Sequence, residues 1–313
     1  MNGQRNKTRS RATRRPNKDL LRFSPNFTAY VLPQEVVCLY SEDRKFFLHG
    51  ELYCALAGAI GKNGKSAPDL IRELSKTFAR EKIEEGIKRL IERRYVVPAL
   101  TSCDSTVAGY WASLGLPAEI AEQNLANCRV RIEAIDVKGA PQLSSALTEL
   151  GVNVVNRSPD LTITLVNDYF ERRLAELNEQ RAGDKMPWML VQPSGVFPLV
   201  GPLLEPDQTA CWTCLFDRMI RNREIKGFLD RRPAQPVAVS PLARNVFGQS
   251  AIQFAAVEIA KAVASGFRTD LRDHIASFDL LGATIVKHYV ARRPQCPSCG
   301  SSKLRNPCRR YSR

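Results

Sequence analysis

The stretch VRIEAIDVKGAPQLSSALTELGVNVVNRSPDLTITLV at residues 130–166 decides the fold class. VRIEAI (130–135) reads as a strand. Pro141 opens a helix over QLSSALTEL (142–150), since its fixed φ suits a first helical turn, and Gly151 ends it with a left-handed cap. VNVV (152–155) is a second strand. LTITLV (161–166) is an unbroken apolar and β-branched run, as expected of a parallel strand covered on both faces. WMLVQ (188–192) is a fourth strand. Strand–helix–strand alternation of this kind predicts a doubly wound α/β domain. A long helix is expected over 245–265 and two closing strands near 274–290, with a Pro- and Arg-rich loop at about 224–241 before them.

Upstream the layout differs. FTAYVLPQEVVCLY (27–40) reads as strand, break at Pro33, strand, and RKFFLHG (44–50) as a further strand. ELYCALAGAIG (51–61) is helical to its glycine. Ser66, Pro68 and Asp69 make a helix start for DLIRELSKTF (69–78). REKIEEGIKRLIERR (80–94) is a third helix, with Ile83, Ile87, Leu90 and Ile91 at helical spacing, and YVV (95–97) a short strand. Strands, three short helices and a strand make a small winged-helix module. The groove between its last helix and the sheet edge suits nucleic acid or an added peptide strand. The last helix mixes Lys82, Lys88, Arg89, Arg93 and Arg94 with Glu81, Glu84, Glu85 and Glu92. A phosphate-tracking helix has a cleaner basic face, so the mixture beside Phe46–Leu48 favours an amphipathic peptide. Residues 100–128 read as a helical connector.

The most specific motif is a pair of pairs, CWTC (211–214) and CPSC (296–299). Each pair holds two sulfurs close enough to chelate one ion, and four thiolates with no open position suit structural zinc. Cys214 and Cys296 stand 82 positions apart, so the site clips distant parts of one domain rather than building a finger. Such a closure contributes on the order of 10 kcal/mol to folding. Cys38, Cys54, Cys103 and Cys128 read as buried thiols and Cys308 as a spare.

A nucleotide site would need a glycine-rich turn after VRIEAI, but DVKGAPQL offers only Gly139, and no phosphate loop occurs elsewhere. No nucleotide is expected in this chain. The histidines His49, His274 and His288 stand in no arrangement with a nucleophile or carboxylate, so no catalytic set is assigned. Asp168 reads as a helix cap, with Glu171 three residues on, although it also ends a strand where open α/β sheets bind ligands. Arg218, Arg221 and Arg223 follow the first cysteine pair as a contact surface or a solvated face.

Of the net charge of +14, half lies in residues 1–22, which hold eight basic residues and Asp19. A tail so polar and self-repelling does not bury itself; it is a solubilising extension, or it touches an anionic partner. No apolar run approaches the roughly 18 residues of a membrane span, and the basic N-terminus lacks the apolar core of a secretory signal. No membrane association is expected, and a cytoplasmic location follows by default.

The blocks NDYF (167–170), PWMLVQPSG (187–195), GPLLEPDQTACWTCLFDRMIRNR (201–223) and HYVARRPQCPSCG (288–300) resemble the ThiF-like, ubiquitin-activating-enzyme-like proteins of thiazole/oxazole-modified peptide biosynthesis. The N-terminal part resembles the PqqD-like recognition element of ribosomal peptide modification, and AGYWASLGL (108–116) the connector between the two. The resemblance spans about residues 26–300. It implies a basic tail at 1–25, a winged-helix leader-binding domain at 26–100, a connector at 101–128, a ThiF-like zinc domain at 129–302 and a tail at 303–313.

On this resemblance Cys211, Cys214, Cys296 and Cys299 are the zinc ligands. A precursor leader peptide adds as a strand against Phe46, Phe47 and Leu48 and against a helix bearing Ile83, Ile87, Lys88 and Arg94. ATP-dependent azoline formation belongs to a YcaO protein, expected to act in trans because this chain ends just past the second cysteine pair. A homodimer, and a flavin-dependent azoline dehydrogenase in the same complex, are further family expectations. The alternatives are a peptide-adenylating ThiF-like enzyme, against which the glycine-poor DVKGAPQL loop speaks, and a nucleic-acid-binding zinc protein using the basic tail.

Overall fold

The computed structural model describes residues 20–32, 35–99, 105–222 and 248–300. The loop expected at 224–241, Arg223, Cys103, Cys308, the first turn of the helix expected from Asn245, the C-terminal tail and most of the N-terminal tail lie outside these residues. The chain divides into two compact units, residues 1–119 and 120–313.

In the first unit, β1 (Leu20–Phe23) precedes a three-stranded antiparallel sheet of β2 (Thr28–Leu32), β3 (Val36–Tyr40) and β4 (Lys45–His49), with β3 central. Alternation sends Val37 and Leu39 inward, where both are fully buried against Cys54 and Ala57. Helices α1 (Glu51–Ile60), α2 (Ala67–Leu74) and α3 (Arg80–Glu92) follow, with the two-residue β5 (Lys65–Ser66) before α2 and β6 (Val96–Pro98) after α3. Leu56, Ile60, Leu70, Ile83, Ile87 and Leu90 form their shared core. Ser66 Oγ accepts from the Asp69 amide, the expected cap, worth about 1 kcal/mol. Helix α2 ends at Leu74 rather than Phe78, and Ser75 Oγ turns back to the Ile71 carbonyl.

The sequence reading places residues 20–23 within the polar tail. They instead form the central strand of a second small sheet, ordered β5-β1-β6. Leu21 buries there to 7% exposure, so a short apolar run takes Leu20–Phe23 out of the basic segment. Two connector helices, α4 (Ser105–Ser113) and α5 (Ala118–Asn127), come next.

The second unit is built on a seven-stranded mixed sheet. Its strands are β7 (Arg129–Ile135), β8 (Asn153–Val154), β9 (Leu161–Val166), β10 (Trp188–Gln192), β11 (Leu199–Leu204), β12 (His274–Asp279) and β13 (Thr284–Tyr289), ordered β13-β12-β11-β10-β9-β7-β8. The β10-β9-β7-β8 part is parallel, and β11, β12 and β13 extend it antiparallel. All six residues of β9 are buried. Leu165 points toward Gly139 and α9 (Gly248–Ala264), whereas Val166 joins the core under α7 (Arg173–Gly183) and α8 (Trp212–Arg221). Helix α6 (Ala140–Glu149) packs beside α9, so helices cover both faces.

Strand β11, LVGPLL, carries a glycine and a proline and gave no strand signal. It is accommodated because Gly201 and Pro202 together oppose Leu190, a bulge at which the missing proline N–H is not needed.

Within this unit Arg181 is 5% exposed, and its Nη2 donates to both carboxylate oxygens of Glu133 at 3.0 and 3.2 Å. Thr164 Oγ1 donates to the same carboxylate at 2.7 Å. Glu133→Ala strands the buried guanidinium, and an expected loss of about 3 kcal/mol follows. Denaturant unfolding checks this, and Glu133→Gln, which keeps an acceptor, loses less.

Candidate metal centre and peptide-binding edge

Cys211 is the N-cap residue of α8 and Cys214 lies in its first turn. Helix-start amides and the positive end of the helix dipole favour thiolate there. Asn178 of α7 supplies the cap, its Oδ1 accepting from the Trp212 amide at 3.0 Å. The Trp212 ring is buried, and its Nε1 donates to the Tyr169 carbonyl at 3.0 Å. Cys296 and Cys299 lie on a turn after β13, closed by Cys296 N to Arg293 O and Gly300 N to Cys296 O. A Cβ at Gly300 would meet backbone atoms of Cys296 and Pro294 at 2.5–2.6 Å, so this turn requires glycine.

The four sulfurs lie within 4.8 Å of one another. Cys211–Cys214 is 3.9 Å, Cys211–Cys296 3.6 Å and Cys214–Cys299 3.4 Å. Tetrahedral zinc with Zn–S near 2.3 Å sets sulfurs about 3.8 Å apart, so the four cysteines are close enough to hold a metal ion and zinc fits them. The surroundings are built to match. The Arg293 amide donates to Cys214 Sγ at 3.4 Å, Thr213 and Ser298 hydroxyls bond across the two pairs at 2.8 Å, and Arg292 Nη2 donates to the Cys299 carbonyl at 2.7 Å. Among themselves the thiols hold protons unequally. Against the pull of the helix start, the hydrogen bond with Cys214 raises Cys211, while the hydrogen bond with Cys211 lowers Cys299. A divalent cation removes that conflict.

The remaining cysteines need one correction. Cys54 is buried, but Cys38 and Cys128 are only half-buried. Cys38 stands on the outer face of β3, opposite Tyr30 and Phe47, where nothing among the described residues covers it fully.

In the first unit β4 is an edge strand, and its far side pairs with no strand of the described residues. The residues proposed there do not all come together. Phe47 is 55% exposed, while Phe46 and Leu48 are half-buried. Lys88 is exposed and 3.8 Å from Glu92. Arg94 is exposed and donates to the Gly115 carbonyl at 2.6 Å. Phe46 and Arg94 line one cavity of about 340 Å³. Ile83 and Ile87, however, are 0% and 6% exposed within the helical core. Their spacing marks the buried face of α3, so they belong to packing and not to a groove. Ile91, 41% exposed at the end of α3, is the apolar residue of that helix that lines the cavity.

Asp168 does not cap α7, which starts at Arg173. Its Oδ1 accepts from the Phe170 amide in a tight turn, and Glu171 Oε1 takes the Arg173 amide instead. In the turn after β7, a Cβ at Gly139 would lie 2.9 Å from Ile252 Cδ1. That glycine admits a helix side chain. Asp136 pairs with Arg173, and its carbonyl accepts from Asn167 Nδ2. His274 Nδ1 lies 2.6 Å from Asp273 Oδ1, and His49 and His288 are exposed strand residues. Arg221 pairs with Asp217, and Arg218 is exposed. No helix among the described residues is long and apolar enough to cross a membrane.

No family model and no curated protein matches the chain. Solved structures do. The heterocyclase TruD is 27% identical with a TM-score of 0.76, covering 90% of this chain and 43% of that one. A heterocyclase in complex with substrate and cofactor is 27% identical with a TM-score of 0.75, covering 91% and 40%. MccB of E. coli is 12% identical with a TM-score of 0.63, covering 90% and 97%, a likeness of fold alone. The chain spans less than half the length of the two heterocyclases it matches.

Proposed function

We propose that this chain is the leader-peptide-binding scaffold subunit of an azoline-forming cyclodehydratase. It presents a ribosomal precursor peptide to an ATP-dependent YcaO protein that performs the ring-forming chemistry, and it activates that protein. The observation that carries this reading is the likeness to heterocyclase TruD over 90% of the chain. On this reading residues 20–99 are a PqqD-like winged helix, supported by three antiparallel strands followed by three helices. The second unit is a ThiF-like domain with zinc held by Cys211, Cys214, Cys296 and Cys299 as a structural clip. A leader peptide adds along β4, whose free edge supplies main-chain donors and acceptors while Phe47 and the cavity beside Phe46 receive its side chains. The single glycine of DVKGAPQL, in the turn where a phosphate-binding loop would need several, supports a chain that holds no nucleotide of its own.

Affinity purification of the tagged chain from its native cells, read by mass spectrometry and by absorbance for nucleic acid, tests the reading. The expected result is a YcaO protein together with a short peptide rich in Cys, Ser or Thr. Recovery of nucleic acid with neither of these overturns it.

A further inference from the structure

We infer that the cavity at the end of α3 anchors one large apolar side chain of an acidic peptide segment, and that the connector after the strand–helix module sets which side chain fits. This rests on the peptide-binding reading above.

The cavity lies wholly within the first unit. Its floor is aromatic, with Phe46 and Tyr95 ring centres 5.0 Å apart and Phe27 edge-on to Phe46 at 5.7 Å. The connector also lines it, Ala112 and Leu116 among its residues. Ala112 is only half-buried, so the space in front of it belongs to the cavity. An apolar floor and a small-residue wall enclosing about 340 Å³ suit a branched aliphatic or aromatic side chain.

The rim favours negative charge. Arg93 and Arg94 stand there against Glu119, while Arg44 is paired with Asp43. Arg94 also carries strain. Helix α3 closes with Arg94 N to Ile91 O and Tyr95 N to Leu90 O, which puts residue 94 in the left-handed region at φ 57°, a place where glycine is the usual occupant. The arginine there donates to the Gly115 carbonyl and so ties the helix end to the connector wall. A carboxylate entering beside it gains planar guanidinium donors.

A displayed library of random linear peptides, selected on the full chain, tests this. The expected consensus is a large apolar residue within one or two positions of Asp or Glu. Ala112→Trp fills the cavity and weakens the selected peptide about tenfold or more. Arg93→Glu removes the acidic preference while keeping the apolar one. Hydrogen exchange of the unmodified chain with that peptide slows at 93–97 and 112–118, a reading independent of how the variants fold. If a peptide is selected but both variants bind it unchanged and protection falls elsewhere, the anchor site is overturned and peptide binding stands. If no peptide is enriched, both readings fall.

Discussion

Cys211→Ser is expected to take the metal content of the purified chain from about one zinc per protein to near zero and to destabilise the second unit. Cys211 lies 3.9 Å from Cys214 and 3.6 Å from Cys296, so it belongs to both halves of the clip. Its loss leaves three thiols that no longer enclose an ion. Structural zinc contributes on the order of 10 kcal/mol. Forfeiting even about 4 kcal/mol of that lowers the melting midpoint of a unit this size by about 8–16 °C. Cys214 and Cys296 are also members of the core that includes Trp188, Leu190 and Leu204, so the damage spreads into packing. Elemental analysis and calorimetry read the two effects separately. Unchanged zinc with unchanged melting removes the clip.

Trp212→Ala is expected to cost about 3–5 kcal/mol, as for other buried aromatic residues cut back to alanine. The ring is 5% exposed, packs 5.0 Å from Phe216 and donates to the Tyr169 carbonyl. It also begins the helix that carries two of the four cysteines. The variant should therefore release zinc to a chelator faster than the unmodified chain. Trp212→Phe separates the contributions: it keeps most of the packing and loses the hydrogen bond, for about 1–3 kcal/mol. Urea unfolding reads the stability, and a colour-forming chelator reads the release. A Trp212→Ala chain as stable as the original means that the ring only covers the site.

How much of this was legible depends on how local each cause is. The cysteine pairs were legible because ligand spacing within each pair is a local property, and the fold needed only to bring the pairs together. LTITLV announced a doubly covered strand, and all six of its residues are buried. Ser66 announced its cap because the acceptor and the amide stand three residues apart. Other causes are remote. The cap of α8 comes from Asn178, 34 positions earlier than Trp212, and nothing near CWTC shows it. The bulge that lets Pro202 into a central strand depends on the neighbouring strand's register. Ile83 and Ile87 show the limit of periodicity: spacing identifies an apolar face but not what covers it, and here α1 and α2 do. The cavity beside Phe46 draws on residues from Ser24 to Glu119 and has no motif. Arg94 alone could have hinted at it, as a long charged residue where a helix end would favour glycine.

On the proposed function, this chain enables another protein to form rings in a precursor peptide. The direct measurement is the rate of water loss from a precursor peptide, followed by mass spectrometry with ATP and the YcaO protein recovered with this chain. With the chain present, successive losses of one water per ring are expected, with a steep fall in rate when the chain is omitted or when the leader segment is cut from the peptide. Equal rates with and without the chain, or ring formation indifferent to the leader, would contradict it.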